Sequence, residues 1–144
     1  MSVTVRRRAE LSAFRISPQD TNYMVPLFDP LSEPKVSFTA IVEIFEPKGK
    51  TPPNTHAIAH EMFFVLAGHG RAFANGQAVD LAPGDTICLD PNVEHVIENL
   101  GPGKLYTLTI MVPNEGFAEL IRAGTPVTLD AEDHAILARL PVAS

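Results

Sequence analysis

The stretch PPNTHAIAHEMFFVLAG, residues 52–68, brings His56, His60 and Glu61 within six positions and then runs into an apolar strand. Glu61 opens that strand. If Phe63 and Val65 point inward with the two-residue period of a β-strand, Glu61 points inward with them. A bare carboxylate in an apolar interior is far too costly, so Glu61 must be protonated, hydrogen-bonded or coordinated to a cation. His56, five residues earlier, reaches the same space if the chain bends between them. His95 opens another strand, HVIENL, whose alternation puts Ile97 and Asn99 on its side. Two neutral imidazoles and one carboxylate converging inside a barrel would make a site for a divalent metal with coordination positions left open. No separate catalytic residue stands out.

The remaining candidates read as structure. His60 neighbours Glu61 on the strand and should face the other way, toward the outer surface or an interface. His69, between Gly68 and Gly70, suits an exposed turn, and His134 belongs to a solvated terminal helix. Asp85 follows Pro83 and Gly84 and suits an Asx-type turn stabiliser. Cys88, the one cysteine, reads as a small apolar strand residue. Phe63, Val65 and Ile97 would line an apolar pocket suited to a small organic molecule. Glu43 and Thr107 or Thr109 are its candidate polar liners, the choice depending on register.

Such residues need a scaffold, and the chain's punctuation describes one. Its 144 residues suit one domain. Thirteen prolines and nine glycines break it into short pieces bounded by turns, as in an antiparallel β fold. Pieces rich in β-branched and aromatic residues lie at 35–46, 61–67, 70–74, 77–82, 85–90, 95–100 and 104–112. Asn75-Gly76 is a hairpin signal, because both residues take the positive φ of a type I′ turn. Residues 17–34 hold four prolines and no clear period, so an ordered loop or edge strand is expected, with Tyr23, Met24, Leu27 and Phe28 packing across a barrel end.

After Pro113 the character becomes helical. Phe117, Leu120 and Ile121 fall at helical spacing before Gly124. A second helix begins at Asp130, whose carboxylate can cap the amide of Asp133, and carries Ile136, Leu137 and Leu140 to a stop at Pro141. The expected division is an N-terminal arm over 1–34, a β-barrel over 35–112 and a helical segment over 113–144.

The composition narrows the function classes. Acidic residues outnumber basic ones by 17 to 11, a net charge of −6, which argues against a nucleic-acid partner. The run Arg6-Arg7-Arg8 reads as a solvated arm. No stretch approaches the ~18 apolar residues a membrane helix requires, and a single cysteine offers no intrachain disulfide. A cytoplasmic protein without a membrane partner is expected.

Residues 35–112 resemble the cupin superfamily, small β-barrel proteins with two sequence motifs that hold a metal. Gly49, His56, Glu61 and Gly68 match the first motif, with four residues between His56 and Glu61 and six between Glu61 and Gly68. The departure is Asn54, which stands where the family places its first histidine. In the second motif Pro83-Gly84-Asp85, His95 and Asn99 are kept, while Asp90 and Asn92 replace a proline and a glycine. The resemblance implies an all-β, jelly-roll double-stranded barrel with short C-terminal helices, and His56, Glu61 and His95 as ligands of Fe, Mn, Ni or Zn. Asn54 would then be either a weak amide ligand or a partner of metal-bound water.

That resemblance implies a metal-dependent enzyme on a small organic molecule, dioxygenase-like or else an isomerase or lyase. The ion would keep net positive charge and favour an anionic or oxygen-donor substrate. The alternative is a non-catalytic ligand-binding or sensing module with a degenerate site. Cupins of this kind commonly pair, so a homodimer is expected.

Overall fold

A computed structural model describes residues 2–139. Strands β1 (Ala13–Arg15), β2 (Asn22–Phe28), β3 (Thr39–Phe45), β4 (His60–Ala67) and β5 (Gly70–Ala74) are followed by β6 (Gln77–Leu81), β7 (Thr86–Leu89), β8 (His95–Asn99) and β9 (Leu105–Val112). Helix α1 (Phe117–Arg122), strand β10 (Thr125–Val127) and helix α2 (Ala131–Ala138) close the chain. Seven strands pair in the order β10-β1-β2-β3-β9-β4-β7 and three in the order β6-β5-β8, with antiparallel pairing throughout. This is the expected all-β jelly roll with short C-terminal helices.

The first crossing from the large sheet to the small one falls at Gly68, between β4 and β5. Its φ of +89° and a Lys104 carbonyl oxygen only 2.6 Å from where a Cβ would sit restrict the position to glycine. Asn75 and Gly76 take φ of 51° and 74°, the hairpin geometry expected between β5 and β6. Between the sheets, Phe45, Phe63, Val65, Leu89, Ile97 and Leu105 pack into a sealed core. The motif asparagine Asn99 closes this end of the barrel: its Nδ2 donates to the carbonyls of Glu46 at 2.9 Å and Gly103 at 2.8 Å.

Residues 17–34 differ from expectation. They contain β2, which lies inside the large sheet between β1 and β3, because Asn22, Tyr23, Met24, Val25 and Pro26 are all buried and both faces of the strand find cover. Tyr23 does not pack across a barrel end; it lies on the outer face under α2, in a cluster with Val25, Val42, Ile44 and Tyr106. Its hydroxyl donates to Asp133 at 2.8 Å, as does that of Tyr106 at 2.7 Å. Asp130 caps α2 as expected, accepting from the Asp133 amide at 2.9 Å. Leu140 and Pro141 lie outside the described residues.

Other corrections are local. His134 is half-buried and its Nδ1 lies 3.0 Å from an Arg8 nitrogen. Arg6 is anchored, with its guanidinium 4.5 Å from the centroid of the Phe28 ring and hydrogen-bonded to the Leu27 and Glu33 carbonyls. Cys88 lies on β7 but is exposed. No helix among the described residues is long and apolar enough to cross a membrane.

Candidate metal centre

Strand alternation acts as expected on β4: Glu61, Phe63 and Val65 are buried, while the His60 side chain is 58% exposed on the other face, 3.4 Å from Asp90. Across the barrel, β8 turns His95 inward, its side chain 1% exposed. Asn92, at φ 67°, takes the left-handed turn that the family fills with glycine. Its amide donates to the His56 carbonyl at 2.7 Å, which folds the His56 loop back toward the β8 turn.

Three side chains meet here. The candidate ligand atoms of His56, Glu61 and His95 all lie within 4.8 Å of one another. His95 Nε2 is 2.8 Å from Glu61 Oε1, and His56 Nε2 is 3.4 Å from the same oxygen. That second contact lacks hydrogen-bond geometry, so His56 Nε2 is buried without a partner. His95 Nδ1 lies 3.0 Å from the Val93 carbonyl, a contact that requires it to carry the proton. In the neutral ring Nε2 is then a lone pair aimed at a carboxylate oxygen. His56 Nε2, His95 Nε2 and the Glu61 carboxylate face one point, and with both rings neutral the set suits a divalent cation.

The three groups also shift one another's protonation. Burial pushes the Glu61 carboxyl up, but the imidazoles of His56 and His95 outweigh it and hold it below the usual carboxylate range. Glu61 in turn raises His56 against the opposing effect of burial, and Glu115 adds to the rise.

Asn54 lines the same cavity. It forms an isolated antiparallel bridge with His95, through Asn54 N to His95 O at 3.0 Å and the reverse bond at 2.9 Å. Directly paired residues point to one face of a sheet, so Asn54 shares the face of His95. Its Nδ2 donates to the Pro52 carbonyl at 3.1 Å.

One residue at the site carried no signal in the sequence. Glu115 precedes α1 at φ 49°, and its carboxylate accepts from the amides of Ala57, Ile58 and Ala59 at 2.9, 2.6 and 2.9 Å. These are the residues directly after His56. Glu115 therefore clasps the loop that presents the imidazole, from a segment almost sixty positions away. Nothing local in NEGFAELIRAG signals that contact.

The cavity is ≈ 380 Å³, lined by His56, Glu61, Asn54, Glu43, Asn22 and Phe63. At least one of the expected polar liners is thus present: Glu43 pairs with Thr107 across β3 and β9, and both are buried. Thr107 and Thr109 bond to each other at 2.9 Å.

The double-sheeted barrel with two histidines and a glutamate converging from β4, β8 and the loop before β4 is a cupin domain, of the cupin superfamily. The family model described as a cupin domain matches residues 41–111. The uncharacterized protein MJ1618 of Methanocaldococcus jannaschii is 31% identical over 75 residues, covering 51% of this chain and 60% of that protein's length. Among solved structures, a predicted oxalate decarboxylase of Thermotoga maritima matches with a TM-score of 0.67 at 23% identity, over 76% of this chain and 99% of that one. An RmlC-like cupin of Shewanella frigidimarina matches with a TM-score of 0.66 at 14% identity, over 81% and 96%. These structural likenesses speak to the fold.

Proposed function

We propose that the protein is a divalent-metal cupin that acts on a small organic acid, with His56, Glu61 and His95 as the metal ligands. The observation that carries this reading is the buried, unpartnered Nε2 of His56, turned with His95 Nε2 toward a single carboxylate oxygen. Bound Fe, Mn, Ni or Zn would supply Lewis acidity at open positions, and with Fe or Mn also redox chemistry toward dioxygen. An oxygenase-type reaction is the first reading, with isomerase or lyase chemistry on an acid as its neighbour. The residues do the rest. Val93 fixes the His95 tautomer, Glu115 holds the His56 loop, and Phe63 and Met111 dry the cavity wall. The description of the Thermotoga maritima neighbour as a predicted oxalate decarboxylase supports a carboxylate as the metal-bound group.

Asn54 favours a second reading, a module that binds a ligand without transforming it. One N–H of its amide goes to Pro52, and what remains for the site is a neutral oxygen and the second N–H in place of an imidazole. The exposed edge strand β6 supports pairing of two copies in either case, which sedimentation would test.

Elemental analysis of the purified protein beside a His95→Ala variant tests the metal reading. Near-stoichiometric metal that the variant loses supports it; no metal in either after reconstitution defeats it. Oxygen uptake by the iron-loaded protein across a panel of small acids then separates the two readings, since binding without turnover leaves the module.

A further inference from the structure

Glu43 is a buried carboxyl that the metal centre does not use. It lies on β3, in the same sheet as Glu61 of β4 with β9 between them, is 2% exposed, and lines the same cavity. Asn22, 1% exposed on β2, donates from Nδ2 to Glu43 Oε2 at 2.9 Å. Among the described residues this is the one hydrogen bond to the Glu43 side chain, and it leaves Oε1 without a partner. Asn22 Oδ1 is itself buried and unpartnered. The neighbours of Glu43 on its face of the sheet are Met24 across β2, Ile41 and Phe45 two positions away along β3, and Thr107 across β9, whose hydroxyl is engaged with Thr109. Two hydrocarbons of similar volume would be at least as stable there, so an under-satisfied carboxyl aimed by an amide points to a ligand.

We propose that Glu43, aimed by Asn22, is a second binding subsite that takes the hydroxyl end of a small hydroxy acid whose carboxylate is held at the metal centre. This rests on the metal reading for the anionic end and on Glu43 for the other. A hydroxyl both donates and accepts, so it meets Oε1 whether or not Glu43 carries a proton. A methyl group in its place leaves Oε1 unpaired. A second carboxylate brings another negative charge beside Glu43 and Glu61, both buried. Burial with the nearby Glu61 charge pushes Glu43 up to about 8, in keeping with a neutral partner. Asn22 acts here as a positioning residue.

The test uses two series matched in length: 3-hydroxypropionate, butyrate and succinate, and 4-hydroxybutyrate, pentanoate and glutarate. Each is titrated calorimetrically into manganese-loaded protein whose metal content is measured in the same sample. In at least one series the hydroxy acid binds about 5- to 10-fold tighter than both analogues. Glu43→Leu abolishes that preference and Glu43→Gln, a neutral group able to donate and accept, retains it. Equal binding within both series, or a preference that survives in Glu43→Leu, overturns the subsite. The ranking is repeated on metal-free protein by saturation-transfer NMR, so that absent metal uptake defeats the metal centre alone while the ranking decides on Glu43.

Discussion

Strands β2, β3 and β9 are buried on both faces, and each face meets a carboxylate, but the two are finished differently. On the outer face Asp133 accepts from the Tyr23 and Tyr106 hydroxyls and from Lys104 Nζ at 3.1 Å. Burial pushes both tyrosines up, and their bonds to Asp133 add to the rise, so they stay protonated donors. On the inner face Glu61 faces two imidazoles, one of them orphaned, and Glu43 has one amide. A complete network pins a helix to a sheet; an incomplete one a few ångströms through the same strands leaves capacity for a ligand.

Breaking the complete network should cost the most. Asp133→Ala removes the acceptor of two buried hydroxyls while Lys104 keeps Asp130 and the Tyr23 oxygen, and urea unfolding should show a loss of about 3 kcal/mol with metal uptake unchanged. A loss under about 1 kcal/mol would mean the two faces do not differ in this way.

Glu43→Gln should do the opposite, in a pH-dependent manner. The folded carboxyl sits at about 8 against an ordinary 4.5, so the folded state binds the proton more tightly. Wild-type stability from this group is therefore full below pH ~4.5 and declines as pH rises through ~8. Glutamine removes that slope. In metal-free protein the variant's advantage should be absent at pH 4.5 and reach on the order of 4 kcal/mol by pH 8.5; parallel pH profiles would contradict it.

Glu115→Ala frees the loop after His56 without touching a ligand. Metal affinity should fall about tenfold, as for other residues that orient ligands, while the His95 side of the site is unchanged. Competition against a chelator measures it, and an unaltered affinity would show that Glu115 holds the loop without positioning His56. The smallest effect belongs to His60→Ala, on the solvent face of β4: stability within about 0.5 kcal/mol and metal uptake intact.

What the sequence reveals of this contrast is uneven for physical reasons. The inner face follows from alternation, which reads Glu61, Phe63 and Val65 inward and His60 outward from one strand. Alternation also puts His95 on the side of Ile97 and Asn99, but its pairing with Glu61 rests on the family motif, since nothing local joins residues 61 and 95. The outer network escapes because Tyr23, Lys104, Tyr106 and Asp133 meet through tertiary packing with no shared period. Strands β1 and β10, three residues each, are too short for alternation to register. Gly124 is read as a helix cap, yet it serves a close approach: a Cβ there would lie 2.3 Å from the Arg15 carbonyl oxygen. Glu115 reaches back across the barrel mouth, a contact that only the fold defines.

The most direct test of the central claim is the thermal midpoint of metal-free protein with and without divalent metal, in wild type, His56→Ala and Asp133→Asn. At a hundredfold excess over Kd the metal should stabilise wild type by about 2.7 kcal/mol, raising the midpoint by roughly 8 °C. Asp133→Asn should start lower and gain the same increment, while His56→Ala gains none. An equal increment in His56→Ala would contradict the account.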